Sequence, residues 1–398
     1  MTAQKPPIVP MSSPDLTEAE RQAVLEVLQT PNLSMGSRID AFEQAFCAYT
    51  GSRFAIGVNS GTAGLHLCVR AAGIGPGDLV LTTPFSFVAS TNVVLFEQAL
   101  PVFVDVDSQT GNMDPLLVSE AVRDLMQGGG AAQRWLPRSA KDRPLACLKA
   151  ILPVDVFGQP ADLHPIRETA AAYGLRVIED ACEALGAEYK GCKAGTLGDA
   201  GVFAFYPNKQ ITTGEGGMVV TNDEGAASLM RALRNQGRAP GDTWLSHTYL
   251  GYNYRLDEMS AALGLVQMGR IEELLHKRDQ VAQWYSERLA EIPWVEPPCL
   301  ATETTRVSWF VYVVRLEQGV DRQAAAQALA DRGIPVRPYF LPIHLQPYMV
   351  ERFGYRAGDF PITEDLGERG LALPFSGKMT EKQVDLVCAA LRDVFGQG

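Results

Sequence analysis

The sequence has no run of 18 apolar residues, so no membrane-spanning helix is expected. Its opening stretch, MTAQKPPIVP, lacks the apolar core of a signal peptide, and the expected location is cytoplasmic. Cysteines are few and scattered: Cys47, Cys68, Cys147, Cys182, Cys192, Cys299 and Cys388 form no CxxC pair. Their number is odd, which fits reduced thiols better than a disulfide framework. The five histidines show no HxxxH spacing and no pairing with cysteine, so no zinc site is expected. Positive charge is in deficit, with 35 Lys and Arg against 46 Asp and Glu, a net charge of −11. Such a field repels phosphate backbones, so no nucleic-acid or membrane partner is expected, although a local basic pocket remains compatible. Internal repeats are absent.

What is present is ordinary for a globular chain: 46% hydrophobic and 20% charged residues exclude disorder, collagen and coiled coil. At roughly 150 residues per domain, 398 residues suggest two or three domains. The apolar pattern predicts a helix over 15–30, capped by Asp15 and stopped by Pro31, and another over 37–49. Strands at 54–58, 78–83, 101–106, 148–156 and 176–180 then alternate with helices at 62–73, 88–98 and 163–174. That rhythm is the mark of a parallel sheet covered on both faces. Strands at 199–205 and 217–222 follow. One long helix is predicted over 257–291, then a strand at 309–316 and helices at 322–333 and 380–395. The division drawn is a large domain over 1–255 and a smaller C-terminal α+β block over 256–398. The Gly/Ala/Arg-rich stretch 127–144 breaks the pattern and reads as a surface insertion.

Four motifs carry polar groups of chemical interest. In NSGTAGLHL, Ser60, Gly61 and Thr62 follow a strand and open a helix, whose free N–H groups suit a phosphate. Asp180 ends the apolar strand RVIED, at the edge where α/β sheets bind ligands. Lys209 lies in FAFYPNKQITTGEGG between two apolar strands, a walled setting for a nucleophilic amine. Asn253 and Arg255 precede a helix in GYNYRLDEM. Taken singly, these also read as a helix cap, an exposed strand end, a hairpin lysine and a loop. Together they supply a phosphate grip, an anion and an amine, the three needs of pyridoxal 5′-phosphate.

The chain resembles the DegT/StrS-like sugar-nucleotide aminotransferases, which are fold type I enzymes dependent on pyridoxal 5′-phosphate. The likeness runs from SPDLTEAERQAVLEVL to LALPFSGKMTEKQV and is densest in SGTAGLHL, VIEDACEALGA and GDAGVFAFYPNKQITTGEGGMVVT. It implies a large, mostly parallel sheet domain covered by helices plus a smaller C-terminal domain. It implies that Lys209 links covalently to the cofactor aldehyde and that Asp180 pairs with its ring nitrogen. Thr62, with the Gly61–Ala63 backbone, would hold the phosphate, and Phe87 would stack on the ring. Asn253 would reach the phosphate of the neighbouring subunit's cofactor in a homodimer. Two departures stand out. Ala204 replaces a phosphate-binding serine of many relatives. Glu183 replaces the Gln or His that usually meets the cofactor's phenolic oxygen, where a carboxylate is repelled unless protonated or turned away.

The implied reaction is ping-pong transamination from L-glutamate to a nucleotide-linked keto-sugar. Arg337, Tyr339 and His344, in VRPYFLPIHLQPY, are the candidates for the sugar side. The alternatives are amination of a cyclitol and a non-catalytic cofactor-binding regulator. Related sugar 3-dehydratases carry histidine where Lys209 stands, which argues against that chemistry.

Overall fold

Apolar runs become buried strands in the computed structural model, which describes residues 8–141 and 147–395. The main sheet contains β1 (Phe54–Val58), β2 (Leu79–Thr82), β3 (Leu100–Phe103), β4 (Leu148–Ile151) and β5 (Arg176–Asp180). After β5 comes a hairpin, β6 (Glu188–Tyr189) and β7 (Cys192–Lys193), followed by β8 (Ala200–Ala204) and β9 (Gly217–Thr221). Spatial order in the main sheet is β1-β9-β8-β5-β4-β2-β3. Only β9 runs antiparallel to its neighbours; every other pairing is parallel. Helices cover both faces, so β2, β3, β8 and β9 have no exposed face to alternate towards. One consequence matters for function: the carboxyl ends of β1, β2, β4, β5 and β8 emerge on the same edge.

A second sheet is antiparallel: β10 (Val295–Glu296), β12 (Tyr312–Leu316), β13 (Arg337–Pro338) and β14 (Gly370–Leu373), in the order β10-β12-β14-β13. The remaining strand, β11 (Thr304–Arg306), pairs with β6. Tyr285, Tyr312, Leu316, Leu329, Leu371 and Val387 form the core of the smaller sheet with its helices.

Three predicted elements are corrected. The first helix is Glu18–Leu28, and Thr17 rather than Asp15 caps it. The Glu20 carboxylate accepts the Thr17 N–H at 2.7 Å in return, a capping box, while Asp15 pairs with Arg270 and Lys277. The predicted 257–291 helix is two, Glu258–Gly269 and Ile271–Leu289. At the break, Arg270 leaves helical geometry (φ −110°, ψ 8°) and its guanidinium donates to Asp15, Glu20 and Glu273. Ala261, Met268, Leu274 and Leu275 pack with Phe42 and Phe205, whereas Val281, Tyr285 and Leu289 enter the small-sheet core. The predicted 148–156 strand stops at Ile151, because Pro153 has no N–H for the ladder.

The insertion over 127–144 is packed rather than loose. It includes a short helix, Gly129–Gln133. The Trp135 indole donates to Asp124 at 3.0 Å, Leu136 and Ala140 are buried, and Arg138 forks onto Asp359 at 2.6 and 2.7 Å. Its last residues, 142–144, lie outside the described residues.

Candidate active site

On the carboxyl edge of the main sheet a cavity of about 530 Å³ opens. Its floor is the start of the helix Gly61–Ala71. Ser60 caps that helix, accepting the Ala63 N–H on its Oγ at 3.1 Å. Ala63 is therefore spoken for and does not line the cavity, contrary to expectation, whereas Ser60, Gly61 and Thr62 do. The N–H groups of Gly61 and Thr62 belong to the open first turn and lack intrahelical partners. A Cβ on Gly61 would sit 2.8 Å from both Ala204 Cβ and Cys182 Sγ, so glycine is what lets the turn come this close. Ala204, at the serine position of many relatives, brings a methyl group here and no hydroxyl.

Asp180 lies at the end of β5 and is only 6% exposed. Its Oδ1 accepts the Cys182 N–H at 3.2 Å. Burial pushes its carboxyl above the usual range, opposed by the Cys182 contacts and by Lys209. A buried carboxylate of this kind asks for a cationic N–H. The strand end is fixed by backbone bonds, Asp180 N to the Pro153 carbonyl and Asp155 N to the Asp180 carbonyl.

Behind it sits a pair of acids that sequence reasoning missed. Asp155 and Glu179 are both fully buried. Glu179 accepts backbone N–H groups from Gly195, Leu197 and Gly198. Asp155 Oδ1 accepts the Ala161 N–H at 2.9 Å, but its Oδ2 is buried with no partner among the described residues. Burial, and then the Glu179 charge, push Asp155 well above its ordinary value. A proton on Asp155 shared with Glu179 satisfies the pair. Because the folded value is raised, the stabilisation is complete below the unfolded carboxyl range and is lost as pH rises through the folded value. Asp155→Asn supplies an N–H that never titrates. Its melting temperature is expected to exceed wild type, by an amount that widens as pH rises above the unfolded carboxyl range. A pH-independent difference in thermal denaturation would show that Asp155 carries no proton.

Lys209 enters from the turn between β8 and β9, its side chain 12% exposed. Its Nζ lies 3.6 Å from Glu183 Oε1 and 3.7 Å from the centre of the Phe310 ring. Glu183 Oε2 accepts the Phe157 N–H at 2.9 Å. Burial raises the Glu183 carboxyl, against the pull of Lys209. The turn is held by Arg278, also missed in sequence, whose buried guanidinium donates to the carbonyls of Asn208, Lys209, Trp309 and Phe310. Desolvation pulls that guanidinium down to about 10.

The other sequence candidates divide. Phe87, 63% exposed, stands at the cavity mouth, and Tyr339 lines it. Asn253 is exposed and lies outside it. It sits between Tyr252 and Tyr254, whose rings stack at 4.8 Å and whose hydroxyls bond Glu97 and His66. Arg337 lies outside this cavity. His344 is fully buried, its Nε2 2.9 Å from Glu364 Oε1, and faces no part of the site, so that expectation fails. A cavity of similar volume, about 520 Å³, lies against Arg231, Arg234 and Arg238. The first two of these arginines are paired with Glu43, and among the described residues no lysine or cysteine lines it.

The lining of the Lys209 cavity fits pyridoxal 5′-phosphate: free N–H groups at a helix start, an enclosed amine, and a buried carboxylate with no ion-pair partner among the described residues. Comparison with known proteins agrees. The DegT/DnrJ/EryC1/StrS aminotransferase family matches residues 14–392. The chain is 40% identical to GDP-perosamine synthase of Caulobacter vibrioides over 98% of both chains. Among solved structures it resembles a DegT DnrJ EryC1 StrS aminotransferase from Brucella abortus (TM-score 0.85, 30% identity, 96% of both chains). It also resembles PseC of Helicobacter pylori, an aminotransferase involved in the biosynthesis of pseudoaminic acid (TM-score 0.86, 27% identity, 98% of this chain and 100% of that one).

Proposed function

The chain belongs to the DegT/DnrJ/EryC1/StrS aminotransferase family, and from that premise we propose that it moves the amino group of L-glutamate onto a nucleotide-linked keto-hexose. It is a fold type I, pyridoxal 5′-phosphate-dependent enzyme. The cofactor supplies an aldehyde for amine exchange and a ring that takes up the electrons of a broken C–H bond. The single observation that carries the residue roles is geometric: Lys209 and Asp180 line one cavity floored by the Gly61–Thr62 turn.

The residues then divide the work. The Lys209 amine is the nucleophile, and once free it takes the α-proton of the donor and returns a proton to the acceptor carbon. Asp180 holds a proton at the ring nitrogen. Thr62 and the Gly61 and Thr62 N–H groups grip the phosphate, and Phe87 covers the mouth against water. Glu183 keeps one oxygen on the Phe157 N–H and turns the other to Lys209. When Lys209 Nζ is drawn away from Glu183, that oxygen loses its cationic partner, and burial then favours its protonated form. A protonated Glu183 donates to a nearby oxygen instead of repelling it, so the replacement of Gln or His keeps a hydrogen-bond donor at this position.

The sugar-nucleotide acceptor rests on the name of the 40%-identical relative. A panel of nucleotide keto-sugars with L-glutamate, read by mass spectrometry, is expected to give an aminated sugar nucleotide and 2-oxoglutarate in equal amounts. Amination confined to nucleotide-free cyclic ketones would displace this reading in favour of a cyclitol acceptor.

The enzyme works as a homodimer in this proposal. Trp244, Leu245 and Leu250 are 76%, 84% and 83% exposed, large apolar side chains of the kind that a protein contact would cover, and Asn253 follows closely in the chain. Sedimentation that shows a monomer at working concentration would contradict a shared site.

A further inference from the structure

A second cavity adjoins the first. It encloses about 510 Å³, and Tyr206, Asn208, Phe310 and Tyr339 face both chambers. Arg337 is the only charged side chain that lines it among the described residues. Its guanidinium is exposed and donates only to the neighbouring Val336 carbonyl, at 3.2 Å. Carboxylates outnumber cations in this chain, 46 to 35, yet none pairs with Arg337 among the described residues. Two further polar atoms at this cavity, Ser12 Oγ and Asn208 Oδ1, are buried without hydrogen-bond partners. Ser12 is held in place because the Phe375 N–H donates to the Met11 carbonyl at 2.9 Å.

Unpaired polar groups are costly to bury and are normally matched by something that binds. A guanidinium and a hydroxyl donor suit phosphate oxygens. An amide oxygen accepts from a ligand hydroxyl, and the tyrosine rings offer flat apolar faces to a base. We propose that this chamber is the subsite for the diphosphate-bearing part of the acceptor, with Arg337 as its anion contact. The reacting ring then lies on the Lys209 side of the shared wall. The inference rests on the nucleotide-linked reading above. The competing occupant of Arg337 is a carboxylate of the amino donor, but glutamate is too small to call for a second chamber of this volume, whereas a nucleoside diphosphate is not.

Binding tests this without turnover. GDP and UDP are titrated calorimetrically into the cofactor-loaded enzyme and into Arg337→Gln and Arg337→Lys. At least one nucleotide is expected to bind wild type. Arg337→Gln is expected to weaken it about tenfold or more and Arg337→Lys to restore part of the loss. Arg337 is exposed and makes one hydrogen bond, so the variants fold, and equal melting temperatures verify it. Equal nucleotide affinity in Arg337→Gln overturns the proposal, as does wild type that binds neither nucleotide. A fall in L-glutamate affinity with nucleotide binding untouched assigns Arg337 to the donor and overturns it too. Failure of the sugar-nucleotide reading shows separately, as a wild-type enzyme that aminates no keto-sugar nucleotide.

Discussion

Lys209→Ala is expected to abolish the visible absorbance of the cofactor-loaded protein and to lower turnover by about 10⁴-fold or more, the scale on which removal of a nucleophile costs an enzyme. The substitution removes one amine that serves twice, as nucleophile and as proton carrier, so no neighbour replaces it. Glu183 is the one carboxylate within 4.0 Å of that amine among the described residues, 3.6 Å away, and a carboxyl cannot form the carbon–nitrogen link. The fold is not expected to suffer. Arg278 grips the turn through the carbonyls of Asn208 and Lys209, which alanine keeps. Borohydride reduction followed by peptide mapping checks the assignment directly: the cofactor adduct should appear on Lys209 in wild type and on no peptide in the variant. An adduct on another lysine, or turnover within tenfold of wild type, would refute it.

Much of this site was legible because its groups fall at strand ends, and strand ends are marked by apolar runs. RVIED announces Asp180 as the last residue of a buried strand, and NSGT announces the turn into the next helix. Lys209 was legible because glycines and two apolar strands bracket it. The missed residues owe their roles to contacts far away in sequence. Arg278 reaches the Lys209 carbonyl 69 residues away, and nothing in LLHKRDQ distinguishes that arginine from a solvated one. Phe310 reads as one more apolar residue of WFVYVV, although its ring is the wall beside the Lys209 amine. The Asp155–Glu179 pair was hidden because each acid alone looks like an ordinary polar end to a strand. His344 misled in the opposite sense: a histidine in a proline-ordered segment looks available, yet Glu364 satisfies it in the core. Periodicity likewise could not find the break at Arg270, because the apolar contacts run on across it, with Met268 before it and Leu274 after it in one core.

Asp180→Asn is expected to separate cofactor capture from catalysis. The amide is nearly isosteric with the carboxyl, and the backbone bonds to Pro153 and from Asp155 hold the strand end regardless of the side chain. The variant should therefore still bind pyridoxal 5′-phosphate through Lys209 and keep its visible absorbance. Turnover should fall by roughly 10³-fold or more, within the range that a single misplaced proton costs, because an amide cannot hold the ring nitrogen in its protonated form. A second readout does not depend on activity. Burial raises the Asp180 carboxyl above its unfolded value, so in the cofactor-free protein its contribution to stability declines as pH rises through the folded value. Cofactor-free Asp180→Asn should consequently gain in melting temperature on cofactor-free wild type as pH rises above the unfolded carboxyl range, and adding the cofactor should stabilise wild type more than the variant. Wild-type rates in the variant would remove Asp180 from the chemistry. An equal gain on cofactor binding in both proteins would mean that the buried carboxylate and the ring nitrogen do not meet.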